Sequence, residues 1–401
     1  MATLSLSSPR PSLLPTTVVA AGLAAIFVGA TLPTPLYPLY RKEFGFGEVT
    51  LTLIYAVYVL GNVGALFLGG RLSDQIGRRR ASLPAIGFGL AATVVFLFAS
   101  GTAALFVARV LTGLATGLGA GAATAWIAEL QPPENKQAGA AIASAANFIG
   151  LAIGCAAAGV LAGYAPWPLR LCWVVYFVVL AAIAIPTLFT RDTVEHRVSR
   201  IGDLSLRPRL GVPEDIRLKF LSPALCAFAT FAVLGFYSAL TPGLLSNALH
   251  ENSPVVSGLL VAELYAVGTV TIVASAGLSS RAGMLAGLAL LLPSLALLVV
   301  AELVRSMPIL IAAAAFTGAA AALGYRGSLQ VVNAITPEDR RGEVVSSYLI
   351  AVYAGNSLPV IGVGLLSTAS GPLAAHVIFA VAIAALAVAA LATGAKYAPS
   401  P

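Results

Sequence analysis

Twelve stretches of this chain are apolar and long enough to cross a bilayer, and little chain remains once they are set aside. They run roughly over residues 14–38, 49–70, 82–100, 103–129, 138–163, 169–189, 220–245, 254–278, 282–303, 307–334, 343–368 and 372–394. A spanning helix needs about 20 apolar residues, and in lipid it must satisfy its own backbone hydrogen bonds. Alternation of period two is missing, and Ala, Leu, Gly and Val dominate, which argues against a transmembrane β-barrel. The 401 residues are 59% hydrophobic and 10% charged, where a soluble domain carries about 25% charged residues. The apolar run after Arg10 extends from about Thr16 to Leu32. It is longer than the ~7–15 residues of a signal-peptide core, so an uncleaved first helix is expected. The reading is an all-α membrane protein of twelve transmembrane helices.

The formal charge of +7 is explained by where the cations lie. With the N-terminus inside, the inner segments hold seventeen Lys and Arg, seven of them in residues 190–219, and the outer segments hold four. The positive-inside rule then puts both termini and the 190–219 linker in the cytoplasm, in the inner cell membrane. No nucleic-acid partner is needed to explain the basic balance. Cys155, Cys172 and Cys226 lie in apolar stretches without disulfide or zinc spacing. Three histidines and three methionines offer no metal relay, and no His/Cys nucleophile arrangement supports an enzyme. No cofactor is expected, and the chain is expected to be a monomer in the bilayer.

The two ends of the chain repeat. At an offset of 205, Thr112-Gly113 matches Thr317-Gly318, Gly119 matches Gly324, Pro132 matches Pro337, and Gly150 matches Gly355. At an offset of 207, Thr34-Pro35 matches Thr241-Pro242, and Tyr58 matches Tyr265. The expected division is 1–189 and 220–401 as two six-helix bundles, joined by the linker 190–219. Parallel repeats of this kind are a device of secondary transporters.

Between the second and third spans lies Gly69-Gly70-Arg71-Leu72-Ser73-Asp74-Gln75-Ile76-Gly77-Arg78-Arg79-Arg80. Asp74 is its one acid among four arginines, and Gly70 and Gly77 suit a tight turn. The stretch resembles the loop between helices 2 and 3 of the major facilitator superfamily. Gly70, Leu72, Ser73, Asp74, Gly77, Arg78 and Arg79 fit that pattern, and Gln75 replaces a frequent arginine. The resemblance implies two pseudo-symmetric six-helix bundles. It further implies a cytoplasmic latch in which Glu129 pairs with Arg78 and Asp74 faces the start of the eleventh helix near Gly342.

Leu105-x3-Arg109-x3-Gly113 resembles the superfamily's fourth-helix motif, whose arginine is implicated in proton transfer in related antiporters. An arginine within a span costs about 2.5–3.5 kcal/mol on insertion scales, so Arg109 should face the bundle interior, the alternative being a side chain that snorkels to the interface. Gly150-x3-Gly154-Cys155-Ala156-Ala157-Ala158-Gly159 resembles the fifth-helix motif of drug-proton antiporters, with Cys155 for Pro and Ala158 for Gly. Ordinary close packing accounts for the same small residues.

Glu263 is an acid in the eighth span, where the first half has Ala56. Burial disfavours a charged carboxylate, so Glu263 is a candidate for proton coupling if it meets the central cavity. Arg326 is the other intramembrane charge. Candidates to line a pocket are Tyr37, Tyr55, Tyr58, Asn147, Tyr237, Tyr325, Arg326 and Asn356, with Tyr37 and Tyr40 expected at the outer headgroup level. The function expected is secondary active transport by alternating access, most readily proton-coupled efflux of a small amphipathic or drug-like molecule. Two alternatives stand beside it. One is proton-coupled import of an organic acid or other small nutrient held by Arg109 or Arg326. The other is a non-transporting membrane receptor on the same scaffold.

Overall fold

Where the spans break and where they run straight follows from a few residues. The computed structural model describes residues 13–69, 72–132, 136–194 and 210–397, so Gly70 and most of the linker lie outside the described residues. Pro33, Pro35 and Pro38 lack the amide protons a helix would use. The first span is accordingly split into α1 (Leu13–Thr31), a 3-10 turn (Thr34–Leu36) and α2 (Tyr37–Phe44). The second is interrupted at Val57, between α3 (Glu48–Ala56) and α4 (Tyr58–Gly69). After the short α5 (Leu72–Ile76) come α6 (Arg78–Leu97), α7 (Thr102–Glu129), α8 (Lys136–Tyr164) and α9 (Leu171–Phe189).

The second half runs through α10 (Arg217–Leu249), α11 (Pro254–Ala274), α12 (Ser280–Leu303), α13 (Met307–Ile335), α14 (Arg341–Ser370) and α15 (Pro372–Tyr397). With α1–α2 and α3–α4 each taken as one span, twelve helices are long and apolar enough to cross a membrane. Among the described residues there is no strand.

Within the first half α7 packs on α6, α4 and α1, and α1 packs on α8. Within the second, α13 packs on α12, α11 and α10, and α10 packs on α14 and α15. The halves meet along two seams, α8 against α11 and α14 against α3 and α4. The first seam needs glycine. A Cβ on Gly258 would lie 2.5 Å from the Cys155 carbonyl, and one on Gly159 would lie 2.6 Å from the Pro254 carbonyl. In membranes, where water gives helices no reason to associate, such close backbone approach is what supplies the packing attraction. The side of the molecule that carries residues 190–194 and the start of α10 is called the linker face below, and the other side the opposite face. Gly159, Pro254, Thr52 and Gly364 all lie toward the opposite face, where a Cβ on Gly364 would meet Thr52 Oγ1 at 2.4 Å. Toward the linker face, nothing lies within 4 Å of where a Cβ on Gly342 would sit.

Candidate functional site

The breaks in the first two spans define the centre of the molecule. A helix end leaves its last carbonyls without intrahelical partners. Arg109 of α7 takes two of the carbonyls at these breaks: Nη1 donates to Ala30 O at 2.9 Å and Nη2 to Tyr55 O at 3.1 Å. Its guanidinium carbon lies 4.6 Å from the Tyr58 ring centroid and 5.4 Å from that of Tyr55. Both rings thus offer their electron-rich faces to the cation. The residue is 1% exposed, so it lies in the interior and does not snorkel. Its Nε is buried and has no hydrogen-bond partner. Gly113, one turn on, is what lets α7 reach α4: a Cβ there would lie 1.9 Å from the Tyr58 carbonyl oxygen.

The second half supplies Asn356. The Tyr55 hydroxyl donates to Asn356 Oδ1 at 3.3 Å, and Asn356 Nδ2 donates to Tyr58 Oη at 2.9 Å. Two hydrogen bonds therefore cross between the halves on the rings that hold Arg109. Tyr265 stands beside this group, sharing a 2.8 Å hydrogen bond with Ser238 and meeting Phe148 edge-on with centroids 5.8 Å apart. Tyr37 is buried close enough to Arg109 to feel its charge. Tyr37 and Tyr40 were expected at the headgroup level. Both are buried, Tyr40 accepting a 2.8 Å hydrogen bond from Trp173 Nε1.

A second group gathers at the linker face. Gly77 has φ +110°, a conformation that side chains disfavour, and it starts α6 so that Arg78 points into the protein. Arg78 Nε and Nη2 donate to Glu129, with Nη2–Oε1 at 2.6 Å, and Nη1 donates to Ser73 Oγ at 2.7 Å and to Asp74. The backbone N–H of Arg78 donates to Asp192 Oδ1 at 3.0 Å, and Thr193 Oγ1 donates to Glu129. Arg78 is largely buried, whereas Asp74 is 59% exposed. The group ties α5, α6, α7 and the start of the linker together, all within the first half. The expected contact of Asp74 with the eleventh helix is not formed. Asp74 bonds the arginine four residues on, and Gly342 has no neighbour where a Cβ would project.

Other expected site residues fall elsewhere. Arg326 does not reach the centre. Its Nη1 bonds the Ser275 carbonyl and Ser275 Oγ, and its Nη2 bonds Ala276 O at 2.9 Å. It closes the C-terminus of α11, where free carbonyls and the helix dipole favour a cation. Glu263 follows Leu259 by four residues and precedes Ala266 and Val270 by three and seven. All three are exposed, so Glu263 shares their helical stripe. It lies about 200° around the helix from Tyr265, on the side away from Arg109. Glu263, a coupling candidate on the condition that it meets the central cavity, is itself half-buried on that stripe, while the Gly258 and Gly268 contacts turn another face of α11 toward α8 and α13. Tyr325 packs edge-on against Phe231 at 5.3 Å in the part of α13 nearer the linker face. Tyr237 is buried within the second half beside Phe236. Asn147 is half-buried next to Phe148, and none of the cluster's hydrogen bonds run to it.

Sequence reasoning missed one buried pair. His376 of α15 bonds both carboxylate oxygens of Glu302 of α12, at 2.8 and 2.9 Å, with both side chains buried. Phe236 meets the imidazole edge-on with centroids 4.9 Å apart. Glu302 ends its span and His376 opens the last, so sequence alone assigns each to a loop margin. A cleft of about 530 Å³ also opens between the halves at the opposite face, lined by Arg41, Lys42, Glu48, Leu240, Ser246 and Glu251 among others. Arg41 and Glu48 form a 3.0 Å ion pair in it.

Comparison with known proteins bears on this arrangement. The chain is 32% identical over 190 residues to a puromycin resistance protein of Streptomyces alboniger, covering 46% of this chain and 36% of that protein. It is 31% identical over 113 residues to the quinolone resistance protein NorA of Staphylococcus aureus, covering 28% and 29% of the two chains. The chain thus spans about a third of the length of these relatives. Its fold is similar to that of a bacterial homolog of the human lysosomal transporter Spinster in an inward-facing, unoccupied conformation. That match has a TM-score of 0.74 at 16% identity and covers 98% of this chain and all of the other. The human organic anion transporter MFSD10 matches with a TM-score of 0.70 at 18% identity, covering 96% of this chain and all of the other. The chain has twelve helices long enough to cross a membrane, its residues 19–301 match the profile of the Major Facilitator Superfamily, and it belongs to that family.

Proposed function

We propose that the protein exports a small amphipathic or drug-like molecule across the cytoplasmic membrane in exchange for protons, by alternating access. One observation carries the reading: Arg109, Tyr55, Tyr58 and Asn356 meet where the two halves join and where the first two spans are broken. Transporters of this architecture bind substrate at broken helices between their repeats. Asn356 links the halves through two hydrogen bonds, each worth about 0.5–1.5 kcal/mol. That scale suits a link that is made and broken in each cycle. With the linker face in the cytoplasm, the Gly159–Pro254 and Thr52–Gly364 contacts hold the halves together beside the cleft at the opposite face. The partial likeness to two drug-resistance proteins supports export and amphipathic substrates.

The test uses purified protein in liposomes with an imposed pH gradient and a panel that includes puromycin and a quinolone. Gradient-driven movement of at least one compound, abolished by collapse of the gradient, is the expected result. Movement that ignores the gradient would remove proton coupling. Accumulation only in the opposite sense would favour import.

A further inference from the structure

The central cluster holds one full charge, and among the described residues no side chain balances it. We propose that the substrate does: the site takes an amphipathic molecule with a flat apolar body and an anionic oxygen group, which docks on Arg109. This rests on the transporter reading above and names its substrate class. Among the described residues no carboxylate lies within ion-pair distance of Arg109. The two intramembrane acids of the second half are turned elsewhere, Glu263 on the stripe of Leu259 and Val270, and Glu302 on His376. The carbonyls of Ala30 and Tyr55 engage two of the guanidinium's nitrogens, but they supply dipoles and not a whole charge. Nε remains, buried and without an acceptor.

A guanidinium fork matches the geometry of a planar oxyanion. A cationic substrate would meet a like charge in a region of low dielectric, where repulsion is strong. The rings of Tyr55 and Tyr58 flank the cation and would stack on a flat apolar body, and Asn356 Nδ2, released when the halves part, becomes a second donor. In this conformation Arg109 is closed over, so binding requires the Asn356 hydrogen bonds to open. A substrate that enters there therefore reports directly on the cycle.

Two permanently charged, two-ring probes of similar size test the proposal: 2-naphthalenesulfonate and N-methylquinolinium. Neither crosses lipid readily, and both are fluorescent. Binding is read as the rise in apparent melting temperature of the full-length protein in nanodiscs, and transport as movement into preloaded liposomes. The sulfonate should bind at least tenfold more tightly than the cation, and Arg109→Gln should remove that preference while Arg109→Lys retains part of it. Equal or tighter binding of N-methylquinolinium to the unaltered protein overturns the proposal, and that comparison needs no variant to fold. Sulfonate binding unchanged in a folded Arg109→Gln protein overturns it as well. Movement of the cation without the sulfonate defeats the anion assignment and leaves the transporter reading standing. Movement of neither, with a normal melting transition, defeats both.

Discussion

At the scale of single residues, Arg109 and Asn356 do different work, and substitution separates them. Replacing Asn356 by Ala deletes both hydrogen bonds from the tyrosines to the other half. A loss of about 1–3 kcal/mol across the seam, for two ordinary hydrogen bonds, is enough to shift a nearly balanced two-state equilibrium. Asn356→Ala should therefore populate the state open at the opposite face. Spin labels placed at Leu53 and Leu365 would report it as a longer distance, and an unchanged distance distribution would mean that Asn356 does not hold the seam. Glu263 gives the converse case. Since its side chain turns away from the central cluster, Glu263→Gln should leave gradient-driven transport unchanged. Loss of pH-driven accumulation in a folded Glu263→Gln protein would show that α11 rotates during the cycle.

Between elements, stability rests on close approach and, at the linker face, on the buried Arg78. At the α8–α11 seam, any side chain larger than hydrogen at 258 collides with the Cys155 carbonyl, a backbone atom that cannot step aside. Gly258→Val should force the halves apart at that seam. Cys155, 0% exposed, should then react with a maleimide several-fold faster, while Cys226, deep in the second half, should not. At the linker face, Arg78→Gln takes the Arg78 guanidinium away from Glu129 and Asp74. Charge-assisted hydrogen bonds of this kind are worth about 1.5–3 kcal/mol, and the exposure of Asp74 reduces its share. The first half should lose about 1–3 kcal/mol, read as a lower melting temperature that Arg78→Lys restores only in part, because lysine cannot make the forked contact.

For the whole molecule, the assignment of the linker face to the cytoplasm is the simplest to test. A single cysteine placed at position 203, in a background with the three native cysteines replaced, should react with an impermeant maleimide only after intact cells are opened. Labelling from outside would invert every statement about direction, including export. It would not touch the geometry of the central cluster, which is the same from either side.

Hydrophobic length alone dictated the twelve helices, because lipid leaves a backbone no other way to satisfy its polar groups. The repeat offsets and the placement of cations likewise disclosed two halves and an expected orientation before any contact was known. Arg109 was legible as an interior residue because a lone charge in a span has few tolerable positions. Arg326 obeyed the same rule and went elsewhere: it closes a helix end, a role set by where α11 stops relative to α13. Facing is a three-dimensional property. Glu263 and Tyr265 are two residues apart in sequence, yet only the glycine contacts of α11 decide which of them turns inward. The Glu302–His376 pair joins residues 74 apart at the margins of two spans, and no periodicity announces it. Nor could composition show that Tyr37 would be buried near Arg109. The sequence thus determined which segments cross the membrane, since that depends on local polarity; only the tertiary packing decided which side chains meet, since that depends on how closely particular helices can approach.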